Sequence, residues 1–212
     1  HEIKTPIALT KLVAENSEGK AKTIIQNESN KIEGYVEQVL YYSRSTDVSK
    51  DYIIKEFDIK ETIKRVIRNN RYDLINGRFQ IDIEQVSDTV ISDEKWVEFI
   101  INQIIINAVK FSIPNEGKVS IYSKVNENNI ILTIEDNGVG INEKDIDRVF
   151  EKGFTGNIGR INSRSTGIGL YLCKKLCDKL GLLRIKVGNR VKVRNFDTTT
   201  ANILLMILPF AK

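Results

Sequence analysis

The sequence predicts an α+β chain in two parts: a helical hairpin that pairs into a dimeric four-helix bundle, followed by a two-layer α/β sandwich. Three observations lead there. Helical apolar periods fill the N-terminal segment, a polar stretch without period follows, and beyond it helical spacing alternates with the period of two that marks strands. A chain of 212 residues with 41% hydrophobic residues has enough apolar mass for one substantial core and a smaller helical module.

The first helix is read from Ile3, Ile7, Leu9, Val13 and Ala14, and the second from Ala21, Ile25, Ile32, Val36 and Val39, with Asn16-Ser17-Glu18-Gly19 between them. Two helices make only two layers, and each apolar stripe is too wide for solvent. The stripe is therefore expected to be buried by a second copy, the alternative being packing against the rest of the chain. The aperiodic stretch 43–50 sets the organisation: a first domain over 1–46, a linker over 47–56 and a second domain over 57–212.

In the second domain, Asp58 can cap a helix that runs to about Ile75, and Asn76-Gly77 turns the chain into a strand carrying Phe79, Ile81 and Ile83. A short strand at Val90-Ile91 leads to a helix from Asp93 to about Ser112. Its apolar surface comes from Trp96, Ile100, Ile101, Ile104, Ile105 and Ala108, and its acidic start suits the helix dipole. Two alternating strands follow, one with Val119, Ile121 and Val125 and the other with Ile130, Leu132 and Ile134, joined by a turn over 126–129. The stretch 150–166 is long for a connection in a compact domain and reads as a functional lid. Helical spacing resumes over 167–180, and strands at 183–187, 191–193 and 201–208 complete the sandwich.

Composition narrows the function classes. The net charge of +4 falls far short of the basic excess of a nucleic-acid binder, so nucleic acid is not an expected partner. The longest apolar stretch, 203–208, has the length of a buried strand and not of a membrane span. The chain opens on His1 without a secretory signal, which reads as a fragment whose upstream helix is missing. Cys173 and Cys177 lie one helical turn apart with no second Cys or His pair, so they are expected to be core thiols.

Four motifs carry chemistry. Gln103, Asn107 and Lys110 stand at i, i+4 and i+7 of an otherwise apolar helix and share one face, offering amide oxygens to a hard cation such as Mg²⁺ and an ammonium to a phosphate. Asp136 ends a strand before Asn137-Gly138-Val139-Gly140; its carboxylate can accept a hydrogen bond from an amino group such as adenine's, and Gly138 and Gly140 permit close backbone approach. Ser165-Thr166-Gly167-Ile168-Gly169-Leu170 opens a helix whose free N–H groups suit phosphates. His1-Glu2-Ile3-Lys4-Thr5-Pro6 sets the sole histidine beside a carboxylate, a nucleophile with a group to take or hold its proton. Taken singly, each has a plainer reading: a solvated helix face, a turn, helix–strand packing or an inert surface histidine.

Taken together, in this order and spacing, the motifs resemble the boxes of bacterial sensor histidine kinases over nearly the whole chain. His1 to Pro6 resembles the phosphoacceptor box, Asn107-Ala108-Val109-Lys110-Phe111-Ser112 the N box, and Asp136 to Gly140 the first glycine box. Phe150 to Phe154 resembles the F box and Gly167 to Leu170 the last glycine box. The resemblance implies an ATP-binding sandwich of the kind shared with gyrase and Hsp90, with ATP and Mg²⁺ as cofactors. It makes His1 the phosphoacceptor, Glu2 its acid/base neighbour and Asn107 a magnesium ligand. Lys110 becomes a phosphate contact, Asp136 the adenine reader and Phe111 an aromatic near ribose and base. Thr5 would serve dephosphorylation of the regulator.

Two departures from the family pattern stand out. Gln103 replaces a second asparagine, which leaves its part in metal binding open. The segment Phe150-Glu151-Lys152-Gly153-Phe154-Thr155 lacks the arginine common after this aromatic pair, so either Arg160 or Arg164 is expected to meet the γ-phosphate. The resemblance further implies a response regulator as partner, a homodimer through the hairpin, and a full-length protein in the bacterial cell membrane with this chain as its cytoplasmic portion. The short hairpin, Gln103 and Gly153-Phe154-Thr155-Gly156 resemble the branch that senses antimicrobial peptides alongside a membrane exporter.

Overall fold

The computed structural model describes residues 52–84, 86, 89–126, 129–156, 166–180, 184–189 and 202–209, together with 10, 12–14, 16, 19, 22, 25, 29, 32 and 36. The chain divides into two compact units, His1–Lys50 and Asp51–Lys212.

In the first unit, residues 10, 12–14, 22, 25, 29, 32 and 36 are helical and Asn16 and Gly19 are in turns, which is the helix–turn–helix order expected there. Gly19 takes a φ of 76°, a left-handed conformation that glycine adopts without penalty. Ala14 and Ser29 are buried, whereas Leu12, Val13 and Ile32 are 55%, 61% and 47% exposed, so within one chain part of the apolar stripe faces solvent.

The second unit begins with strand β1 (Ile54–Asp58), followed by helices α1 (Ile59–Asn69) and α2 (Arg71–Asn76). Strands β2 (Gln80–Glu84) and β3 (Thr89–Asp93) precede α3 (Glu94–Lys110), and a hairpin of β4 (Lys118–Asn126) and β5 (Asn129–Asp136) follows it. A 3₁₀ turn (Glu143–Arg148), α4 (Gly169–Leu180), β6 (Arg184–Asn189) and β7 (Asn202–Pro209) complete the described order. The strands form a five-stranded sheet, β2-β4-β5-β7-β6, and a separate β1-β3 pair. Within the larger sheet only β2 and β4 run parallel; every other pairing is antiparallel.

Helix α3 is the spine of the core. Trp96, Val97, Phe99, Ile100, Ile101, Ile104, Ile105 and Ala108 are buried, and the helix packs against α1 and α4. Each fully buried isoleucine contributes roughly 1.5–3 kcal/mol through removal of apolar surface from water. From the sheet, Val119, Ile121, Ile130, Leu132 and Ile134 are buried, as the alternation predicts, but Val125, next to the hairpin turn and beyond the stretch of β4 that β2 pairs with, is 53% exposed. Cys173 and Cys177 are buried free thiols on α4. Burial drives the Cys173 thiol well above the ordinary range and Cys177 up to about 12, so both stay protonated and inert as core groups.

Two expectations are corrected here. The last residues of the expected 47–56 linker, 54–56, are strand: β1 pairs residue by residue with β3, from Ile54↔Asp93 to Asp58↔Thr89. Only Phe57 of that strand is buried, so it shows no alternation, and its pairing depends on a distant partner. The single helix expected to follow Asp58 is two. Asp58 does cap α1, its Oδ1 accepting from the Lys60 and Glu61 amides, but the chain breaks at Asn70. The Asn70 Nδ2 donates to the Val66 carbonyl at 2.9 Å and to Asn102 Oδ1 of α3 at 2.6 Å, a side-chain bond that competes with helix continuation. The turn after α2 has its positive φ at Arg78 (52°) and not at Gly77. Glycine serves there by size: a Cβ on Gly77 would stand 2.8 Å from the Phe79 ring, and one on Gly117 would stand 2.6 Å from it. The strand expected at 191–193 lies outside the described residues.

Asp93 ties the start of the unit to α3. One carboxylate oxygen caps the helix, accepting from Lys95 N at 3.0 Å and Trp96 N at 3.2 Å, and the other accepts from Ile53 N at 2.9 Å. Tyr52 lies with its ring centroid 4.8 Å from that of Trp96, and burial followed by the nearby Asp93 charge raises its phenol pKa. Alongside, Arg65 bridges Glu94 (2.6 Å) and Glu98 (2.9 Å), and Lys55 also reaches Glu94. The Glu94 carboxyl is held below its ordinary range by Lys55 first and Arg65 second. That depression makes its stabilising share present above the ordinary carboxylate pKa and lost as pH falls through the lowered one.

Replacing Asp93 removes a cap and frees the incoming chain in one step. Asp93→Ala is expected to lower the unfolding free energy by about 1–3 kcal/mol, measured by urea denaturation. The emission of Trp96, the sole tryptophan, should shift as Tyr52 leaves it. Unchanged stability and emission would show that this junction is dispensable.

Candidate functional site

Helix α3 carries two polar rows between its apolar faces: Glu94, Glu98 and Asn102 meet Arg65 and Asn70, and Gln103, Asn107 and Lys110 form the other, the stripe of the first motif. Gln103 on that stripe is buried, and Asn107 and Lys110 are half-buried. The helix ends at Phe111, whose N–H donates to the Asn107 carbonyl at 3.0 Å, and the Lys110 ammonium lies 5.5 Å from the centre of the Phe111 ring.

The second motif is locked to that helix end. Val139 N donates to the Phe111 carbonyl at 3.0 Å, and a Cβ on Gly138 would stand 2.6 Å from the same oxygen. Only glycine lets the two backbones meet at this point. Asp136, half-buried at the end of β5, accepts from Gly138 N at 2.9 Å through Oδ1, which turns the loop and orients the carboxylate. Gly140 takes a φ of 76° and redirects the chain away from the sheet.

Asn137 was not among the candidates, yet it braces this loop. Its Oδ1 accepts from Lys118 N at 2.7 Å and its Nδ2 donates to the Glu116 carbonyl at 2.7 Å, tying the loop to the start of β4. The signal was available: an Asx residue between a strand end and a glycine commonly bonds to backbone.

The third motif opens α4. Thr166 is exposed, and its Oγ1 accepts from Ile168 N at 3.4 Å. Gly167 takes a φ of 64°, and a Cβ there would run into the backbone of Gly153 and Phe154. Gly153 N donates to the Gly167 carbonyl at 3.0 Å, which ties the F box to the opening of α4. Gly153 is a second residue that sequence reasoning left without a role; its φ of 79° and its partner across the loop become visible only in three dimensions. Gly169 and Leu170 are half-buried, and the Gln103 amide rests against Gly169. At the F box, the Arg148 guanidinium lies 4.7 Å from the centre of the Phe154 ring.

The fold thus brings the loop of Asp136, Gly138 and Gly140 to the C-terminal end of α3 at Phe111, and brings Gly169 to the same helix at Gln103, with Gly167 seated on Gly153 and Phe154. His1, Glu2, Thr5, Arg160 and Arg164 lie outside the described residues. What the fold gathers around α3 is amide, ammonium and carboxylate side chains together with two glycine turns. Such a set suits a ligand with negative oxygens at one end and an amino-bearing ring at the other.

Residues 92–204 match the model of the histidine kinase-, DNA gyrase B-, and HSP90-like ATPases. The chain is 33% identical over 181 residues to the sensor histidine kinase YxdK of Bacillus subtilis (strain 168), covering 85% of this chain and 56% of that protein. It is 34% identical over 201 residues to the sensor protein BceS of the same strain, covering 94% and 59%. The chain therefore spans somewhat more than half the length of these relatives. Among solved structures, histidine kinase ThkA in complex with response regulator protein TrrA aligns with a TM-score of 0.66 at 19% identity, over 100% of this chain and 59% of that one, a likeness of fold.

The junction at Gly138 is open to a direct check. Gly138→Ala forces a methyl against the Phe111 carbonyl and is expected to cost about 1–3 kcal/mol of stability in urea unfolding. A variant as stable as its parent would mean that the loop and the helix end do not abut.

Proposed function

The chain belongs to the histidine kinase-, DNA gyrase B-, and HSP90-like ATPase family, and on that premise we propose that it is the catalytic portion of a bacterial sensor histidine kinase. It binds ATP with Mg²⁺, phosphorylates His1 and passes the phosphoryl group to an aspartate of a response regulator. The observation that carries this reading is the convergence of three sequence-distant motifs on the polar stripe of α3, joined by the Phe111–Val139 bond and the Gln103–Gly169 contact.

Each residue has a part in this reading, those of His1, Glu2, Thr5, Arg160 and Arg164 resting on the resemblance alone. Asp136 accepts from the adenine amino group, its carboxylate already oriented by Gly138. Phe111 and Gly140 border the base and ribose, while Lys110 and the turn of Thr166, Gly167, Gly169 and Leu170 face the phosphates. Asn107, with a half-buried amide on the same stripe, fits a hard cation and would hold magnesium, which would supply charge neutralisation at the phosphates. Gln103 is the second candidate ligand carried by the motif. The lid, through Arg160 or Arg164, contributes further positive charge at the γ-phosphate. His1 attacks in line, Glu2 holds or takes its proton, and Thr5 positions water for removal of phosphate from the regulator.

The exposed Leu12, Val13 and Ile32 support a homodimer through the hairpin. Among the described residues no helix is long and apolar enough to cross a membrane. Residence of the full-length protein in the cell membrane, with this portion in the cytoplasm, and a place beside an exporter in the antimicrobial-peptide-sensing branch belong to the same proposal. They rest on the resemblance to that branch.

The test is incubation with γ-labelled ATP of a version extended upstream of His1. Label should be acid-labile, should disappear in His1→Gln, and should fall on the order of a hundredfold in Asn107→Ala. Acid-stable label, or full labelling of His1→Gln, would replace the histidine kinase by another phosphotransferase of the same fold.

A further inference from the structure

Gln103 shares the stripe with Asn107 and Lys110, and its residue type suggests a metal ligand. Its surroundings point elsewhere. The side chain is only 7% exposed, and its Oε1 lies 2.7 Å from where a Cβ on Gly169 would stand. Gly169 is the first residue of α4 and, unlike Gly167, is not in the left-handed region, so the backbone itself does not demand glycine there. What demands it is room for the Gln103 amide. The glycine and the glutamine are two halves of one contact between α3 and the opening of α4.

The contact lies where it matters for the site. N–H groups in the first turn of a helix have no acceptor within the helix, and here that turn is the candidate phosphate cradle. Its first intrahelical bond within reach, Leu172 N to the Ile168 carbonyl at 2.9 Å, begins beside Gly169. A side chain wedged between α3 and this turn sets the distance from the cradle to Asn107 and Lys110. Asparagine, one methylene shorter, would not reach as far from the same Cα.

We propose that Gln103 is a positioning residue, whose amide seats the opening turn of α4 against α3 and so places the glycine turn relative to Asn107 and Lys110, and that it is not a magnesium ligand. This role rests on the nucleotide reading above and assigns a different task to one of its residues.

The experiment is a double-mutant cycle on the 212-residue chain, with ATP affinity measured in Mg²⁺ and again in EDTA, and thermal unfolding followed in parallel. Gln103→Asn should weaken binding about fivefold by the same factor in both media, and Gly169→Ala should do likewise by expelling the amide. The double variant, in which the methyl fills the space left by the shorter amide, should return to within about twofold of the parent. A loss confined to Mg²⁺ would make Gln103 a metal ligand and overturn the proposal. Multiplicative losses in the double variant would do the same, since glycine would then serve the phosphates directly. So would lowered thermal stability with unaltered affinity, the mark of a purely structural contact. Absence of ATP binding by the unsubstituted chain would instead sink the nucleotide reading, and this role with it.

Discussion

Everything in the site hangs on the close approach of two backbones at the end of α3. The carbonyl of Phe111 is one of the acceptors that a helix end leaves unused, and the loop after β5 supplies its donor through Val139. The approach is possible only because residue 138 has no side chain. One hydrogen bond therefore satisfies a helix terminus, fixes the loop that carries Asp136, and sets the distance between the helix stripe and the strand end.

The same economy recurs at the other end of α3. Asp93 caps the helix with one oxygen and holds Ile53 N with the other, so a single carboxylate links the entry of the chain to the helix that bears Asn107 and Lys110. The ion pairs among Lys55, Arg65, Glu94 and Glu98 reinforce that junction, but they are partly exposed and screened, and burial of the isoleucines of α3 dominates its placement. A helix held rigidly at both ends is a suitable platform for side chains that must keep fixed spacing.

At the opening of α4 the glycines have different physical roles. Gly167 is required by a left-handed backbone and by contact with Gly153, whereas Gly169 is required by its neighbour across the helix interface. The motif reads as one unit in sequence, but its parts answer to separate constraints. The bond between Gly153 and Gly167 holds the F box and the glycine turn together.

By itself the sequence determined the α+β class, the buried face of α3, the alternation of β4 and β5, and the grouping of Gln103, Asn107 and Lys110, because period alone specifies which side of an element is apolar. It also carried the motifs that point to the family. Tertiary structure decided what period cannot encode: the pairing of β1 with β3 despite a single buried residue, and the break at Asn70 under the pull of Asn102. It also put the left-handed residue at Arg78 and gave the Phe79 ring the space that side chains at 77 and 117 would need. The direction of the Gln103 amide belongs with these. Whether a polar side chain on a helix faces a ligand or a neighbouring helix depends on the space left by residues far along the chain, and that space exists only after the elements pack.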